Sequence, residues 1–444
     1  MIEPLNRGVR DKNRRLSFVA SIPFGDSLTA HRYRLGNGLT ILLLIDRSAP
    51  VISYHTWFRV GSRDEKPGKT GLAHLFEHLM FNETKSQKVG SFDRKMEAAG
   101  AETNAATWID WTFYHANIPA TELQTVMSLE ADRMHNLVLK DKQVGSEKDV
   151  VANERRYRVD DDVEGTANEE LYKHAFKRHP YHWPTIGWMP DIEGFTTRDC
   201  ERFYKTYYAP NNAIVAIVGD LDEAKTLTMV QAHYGHLRAA KLPERKSVKE
   251  PKQSRQRQVT LVRSTSSEKV LVGYRAPELA HRDHAVLVVA NEILLGGRSS
   301  RLFRMLVRDQ ELAAEVRGSL TPSIDPGLYE IWVSMRAGVS HDRALSAIDA
   351  AFDKLCRTKV TALELEKVKN RLELGALQAM ETAGGKAEQL GFYETVLGDA
   401  GFVFERLAQY RSVTADDIQR AARRYLVPGS RTIVTVLPKQ EEVA

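Results

Sequence analysis

Two cysteines in 444 residues, Cys200 and Cys356, are too few for a disulfide framework and too far apart for a CxxC zinc pair. No stretch reaches the roughly 18 uninterrupted apolar residues of a membrane span. The opening "MIEPLNRGVRDKNRRLSF" lacks the apolar run of a secretory signal. A trimmed chain would read the same way, so the expected compartment is cytoplasm or periplasm. Neither sign of charge dominates: 63 Lys and Arg against 58 Asp and Glu leave +5, mostly spread along the chain, which argues against nucleic acid as a partner. What is present is 42% hydrophobic and 27% charged, the composition of a globular chain that buries a full core. The length exceeds one ordinary domain and suggests two or three.

The one basic cluster, "RAAKLPERKSVKEPKQSRQRQ" (238–258), holds two prolines and no interleaved aromatics. It reads as a solvated linker between domains rather than a polyanion-binding patch. The segments that close the flanking halves are alike. "FTTRDCERFYKTYYAPNNAIVAIVGD" from Phe195 and "VTADDIQRAARRYLVPGSRTIVTVLP" from Val413 pair Thr196 with Thr414, Asp199 with Asp417, Tyr207 with Tyr425 and Pro210 with Pro428, all at an offset of 218. In both, a Thr followed three residues later by an acid predicts a capping box, and a proline loop leads from the helix into a β-branched strand. That agreement at one offset indicates an internal duplication.

The halves also begin alike. "LTILLLI" (39–45) and "VISYHTWFRV" (51–60) read as adjacent strands before a helix from about Gly71; "QVTLVRS" (258–264) and "KVLVGYRAP" (269–277) read the same way before a helix from about His284. Such close strands leave no room for a parallel crossover, so mainly antiparallel sheets are expected. The predicted fold class is α+β: two duplicated α/β-sandwich domains, each a mainly antiparallel sheet with helices packed on it. The expected boundaries are an extension over 1–28, a first domain over 29–237, the linker over 238–258 and a second domain over 259–444.

"GLAHLFEHLMF" (71–81) sets His74, Glu77 and His78 into an otherwise apolar helix. Positions i and i+4 share a helix face, so the two imidazoles can hold one zinc ion, with Glu77 close enough to reach a water on it. A catalytic zinc needs a third protein ligand. "VGSEKDVVANERRYR" (144–158) offers Glu147 and Glu154, two helical turns apart on one face. Asp149 and the run Asp160 to Asp162 read as solvated helix charges.

HxxEH followed by a helix with two glutamates seven apart resembles the pitrilysin, insulin-degrading and mitochondrial processing peptidase family. The resemblance covers roughly residues 30 to 440 and includes "VGSRDE" (60–65), "NAAT" (104–107) and "HPYHWPTIG" (179–187). It implies that Glu154 is the third zinc ligand, that Glu147 orients a histidine ligand from outside the first shell, and that Glu77 is the general base of a zinc endopeptidase. "ETNAATWIDWTFYHANIP" (102–119) alternates like a strand. By the same resemblance its Asn104 and Ala105 line a cleft where unfolded peptide adds as a β-strand.

One departure bears on partners. Family members that complete their own site carry, in the second half, an arginine and a tyrosine seven residues later. In "FRMLVRDQELAAEV" (303–316) those positions are Val307 and Ala314. Arg308 is one place off, turned about 100° away on a helix. The family's two-chain members divide these groups between paralogous subunits. The resemblance therefore implies that this chain is the zinc-bearing subunit of a heterodimer enclosing a chamber, with a paralogue supplying the arginine–tyrosine pair. The alternatives are a non-catalytic structural relative, a zinc-containing peptide-binding module and a nucleic-acid binder. The complete ligand set, the presence of Glu77 and the lack of interleaved aromatics count against them in turn.

Overall fold

In a computed structural model the described residues are 2–439, so the first residue and residues 440–444 of the expected boundaries lie outside them. The strands of the first sheet are β1 (Leu16–Phe24), β2 (Leu28–Leu35), β3 (Thr40–Ile45), β4 (Val51–Phe58), β5 (Glu102–Thr107), β6 (Thr112–Pro119) and β7 (Ala213–Gly219). They run in the order β1-β2-β3-β7-β4-β6-β5. The second sheet uses β8 (Arg257–Arg263), β9 (Lys269–Arg275), β10 (Ala313–Leu320), β11 (Leu328–Met335) and β12 (Arg431–Pro438), in the order β10-β11-β9-β12-β8. All pairings are antiparallel except β3 with β7 and β8 with β12. The α+β class with mainly antiparallel sheets is thus observed.

The neighbours differ from expectation. β3 and β4 do not pair, because β7 lies between them, and β12 separates β8 from β9 in the same way. The reason is burial. β7, "AIVAIVG", is buried at every position, and β12 at its first six. A strand with no polar face belongs at the centre of a covered sheet. Residues 102–119 form a hairpin rather than one strand, with β5 at the sheet edge. Both predicted capping boxes are present: Thr196 and Thr414 each accept from the N–H of the acid three residues on, and that acid accepts from the N–H of the threonine.

The chain forms two compact units: Met1–Asn153 with Pro184–Lys246 and Leu377–Glu405, and Glu154–Trp183 with Ser247–Ala376 and Arg406–Ala444. They are not the contiguous stretches 29–237 and 259–444, because each unit takes a helix from the other half of the sequence. Helix Ala383–Leu397 lies on β4 and β7, and helix Val163–Ala175 lies on β12, β9 and β8. Gly391 permits the first contact: a Cβ there would sit 2.0 Å from the indole nitrogen of Trp57. Arg32, which contacts Glu394, and Lys386, 2.9 Å from Asp46, fasten the same helix by charge.

Candidate metal centre

The HxxEH segment is a helix over Leu72–Leu79. Leu72, Leu75, Phe76 and Leu79 are buried in the first unit's core, where the Phe76 ring stacks on Phe203 and Tyr204 and tilts against Tyr208. The Tyr114 hydroxyl donates to the Phe76 carbonyl at 3.0 Å. This packing fixes the helix about its axis and leaves His74, Glu77 and His78 on the other face, His74 buried and the other two half-buried. The imidazole centroids of His74 and His78 are 5.0 Å apart with their planes at 65°.

The second glutamate helix spans Asp141–Arg155, and Glu154 is its last residue but one. One ligand atom each from His74, His78 and Glu154 lie within 4.8 Å of one another; among the described residues these three alone form such a group. Two neutral imidazoles and a carboxylate are the donor set of a catalytic zinc, and ligands about 2.1 Å from a tetrahedral ion stand about 3.4 Å apart. The donor types, two imidazoles and one carboxylate brought within 4.8 Å, fit that metal. Arg158, on the turn that continues the helix, holds one Glu154 oxygen at 3.1 Å.

Glu147 is outside this trio. Its Oε2 lies 3.8 Å from Nδ1 of His78, an ion-pair distance longer than a hydrogen bond, while its Oε1 accepts from the Asn82 amide at 3.0 Å. Asn82 was not legible in the sequence, because it lies beyond the helix and only the fold brings it to Glu147. Glu77 sits one residue before His78. Burial pushes the Tyr208 phenol up, and the Glu77 carboxylate adds to that shift.

β5 is the outer strand of its sheet and packs beside the HxxEH helix. Asn104 and Ala105 are both on it, but neighbouring strand residues face opposite sides. Ala105 packs toward the core, whereas Asn104 is paired across to His115, and its Oδ1 accepts from the Ala105 N–H at 2.8 Å. What both positions share is the strand's outer edge. In the second unit, Val307 is half-buried and Ala314 is exposed on β10; Arg308 pairs with Asp309 at 2.6 Å. The basic segment is partly tied down. Arg245 holds Asp64 at 2.8 Å, and Glu250 accepts from the N–H groups of Lys177, Arg178 and His179 at 2.7–2.9 Å. Among the described residues no helix is long and apolar enough to cross a membrane.

Residues 41–187 match the Insulinase (Peptidase family M16) model, and residues 194–372 match the Peptidase M16 inactive domain. The chain is 30% identical to the zinc protease PqqE of Helicobacter pylori over 434 residues, 95% of this chain and 98% of that one. It is 28% identical to an uncharacterized zinc protease of Streptomyces coelicolor, over 92% and 89% of the two chains. A crystal structure of a protease from Helicobacter pylori is similar with a TM-score of 0.87 at 30% identity, covering 92% of this chain and 99% of that one. A Peptidase M16 inactive domain from Pseudomonas fluorescens has the same fold, with a TM-score of 0.83 at 19% identity over 93% and 98% of the chains.

Proposed function

The chain belongs to the M16 peptidase family, and on that premise we propose that it is a zinc-dependent endopeptidase acting on unfolded oligopeptides. The observation that carries this reading is the convergence of His74, His78 and Glu154 within 4.8 Å. All three lie inside 41–187; the match to an inactive domain concerns 194–372 and leaves the ligand set untouched.

Zinc held by those three side chains would supply a positive charge that makes water nucleophilic at neutral pH and polarises a carbonyl. Glu77 accepts the proton of the attacking water and returns it to the departing amine. Glu147, held by Asn82, keeps the His78 ring oriented. The outer edge of β5 receives the peptide through backbone hydrogen bonds, so selection by side chain is loose.

We propose further that the chain works with a paralogous subunit. Val307 and Ala314 have no polar side-chain atom to offer developing negative charge, and a second copy of the same chain lacks the groups as well. A paralogue that closes over the first unit as a chamber, carrying an arginine and a tyrosine, would provide them. The test is metal analysis with peptide cleavage by wild type and Glu77→Gln, alone and with the paralogue. Zinc bound with cleavage lost in Glu77→Gln supports the peptidase. Equal cleavage by both proteins contradicts the role of Glu77.

A further inference from the structure

The segment "VGSRDE" (60–65) has no ligand or catalytic group, yet its side chains and backbone reach both halves of the proposed site. Toward the substrate edge, the Ser62 N–H donates to the Trp108 carbonyl at 3.1 Å and the Arg63 N–H to the Ile109 carbonyl at 2.9 Å. The Arg63 guanidinium reaches Asp110 at 2.9 Å, both side chains being buried. These contacts fall on the turn joining β5 to β6. Gly61 permits the approach, since a Cβ there would stand 2.4 Å from the Trp108 carbonyl oxygen.

Toward the metal helix, Glu65 does something a helix of this sequence otherwise lacks. The N-cap position is Gly71, left-handed at φ 95°, without a side chain to cap the first turn. A serine or aspartate would be usual there, but a Cβ would meet the Ile186 carbonyl oxygen at 2.4 Å. Glu65 reaches in from six residues earlier. Its Oε2 accepts from the Gly71 N–H at 2.8 Å and its Oε1 from the Ala73 N–H at 2.7 Å. Ala73 immediately precedes His74. The carboxylate is 7% exposed, so neither bond has a ready substitute in water. Burial pushes the Glu65 carboxyl up, but both oxygens face N–H donors at the positive end of a helix, which favours the ionised form.

We propose that Glu65 is a positioning residue: it sets the height and tilt of the metal helix against the turn of the substrate strand, and so the placement of His74 and His78 relative to Glu154. This rests on the zinc reading above. Among the described residues the N-cap offers no side chain for the work: Gly71 has none, and the neighbouring Thr70 points to Asp191, which accepts from its N–H and hydroxyl at 3.0 and 2.7 Å. The tie is also specific in chemistry. Each oxygen takes one N–H, so in Glu65→Gln, whichever way the amide is turned, one N–H meets an NH2 group.

The test is zinc affinity by chelator competition, with the visible spectrum of the cobalt-substituted protein, in wild type, Glu65→Gln and Glu65→Asp. Glu65→Gln is expected to bind zinc about tenfold more weakly, the low end for groups that orient ligands from outside the first shell, with a shifted cobalt spectrum. Glu65→Asp keeps the charge one methylene short and is expected between the two. A folded variant that has only lost stability would leave the cobalt spectrum unmoved. Wild-type zinc affinity with an unchanged spectrum in either variant overturns the role of Glu65. A wild-type chain that binds no zinc overturns the metal site, and this inference with it.

Discussion

At the offset that relates the halves, His74, Glu77, His78, Glu147 and Glu154 correspond to Glu292, Leu295, Gly296, Leu365 and Leu372. The scaffold is the same: β4 and β9, β7 and β12, and the two capping-box helices stand at matching positions. In the second half, Leu295 and Leu365 are buried and Leu372 packs against the same core. On the helix that matches the HxxEH face, Leu295 packs into the core at the Glu77 position, Glu292 pairs with Arg371 at 3.2 Å at the His74 position, and Gly296 has no side chain at the His78 position. The acid at the Glu65 position changes task as well. Its counterpart, Asp283, is buried and tied to Arg420 at 2.6 Å and the Tyr425 hydroxyl at 3.0 Å, so it joins two helices instead of capping one. A duplicated fold keeps its strands and caps because packing requires them, whereas the site survives only where its polar atoms are used.

The largest expected effect lies at Glu77. Glu77→Gln should retain zinc and lose about 10²–10⁴-fold in peptide turnover, since the amide cannot accept a proton. Glu292→Gln, at the position matching His74, should leave zinc content unchanged; zinc loss there would break the contrast between the halves. Next comes the missing pair. Adding the paralogue should raise turnover by about a hundredfold, the scale of one donor to developing negative charge. Full turnover by the unaided wild-type chain in steady-state assays would remove the need for a partner.

Much of this contrast was legible before the fold. The capping boxes, the duplication and the HxxEH helix depend on neighbours a few residues apart, and all appear where the spacing placed them. The strand order was not legible, because β7 reaches the centre of its sheet from more than 150 residues beyond β4, and only its unbroken burial explains the place. The exchange of helices between the units was hidden for the same reason. Asn82 and Glu65 went unread because each acts through a contact that the fold creates. A helix starting at a glycine, with an acid shortly before it, was the signal available for Glu65.

The exchanged helices give a smaller, purely structural prediction. Gly391→Ala places a methyl against the rigid Trp57 indole and should cost about 1–3 kcal/mol in chemical denaturation. Gly273→Ala, on the strand under the exchanged helix of the second unit, meets the end of the Leu171 side chain at 2.9 Å and should cost less. Equal costs would mean that the two helix seats are equally tight.

The remaining prediction concerns pH. Burial lowers His55 in the first sheet from 6.5 to about 3, and lowers His284 in the second unit to about 4. Folded, both stay neutral; unfolded, both take a proton near 6.5. Stability is therefore full above about pH 6.5 and falls toward pH 4 by about 1.4 kcal/mol per unit for each histidine. Acid titration of His55→Gln and His284→Gln should each show a flatter slope across that window, and an unchanged slope would show that the histidine is not the group responsible.

The most direct test of the central claim, that the first half carries a zinc site and the second does not, is metal content by plasma emission on wild type and Glu154→Ala. The account predicts about one zinc ion per wild-type chain and a sharp loss in Glu154→Ala, with Glu147→Ala still loaded. Full zinc in Glu154→Ala together with loss in Glu147→Ala, or a wild-type chain that takes up no zinc, would contradict it.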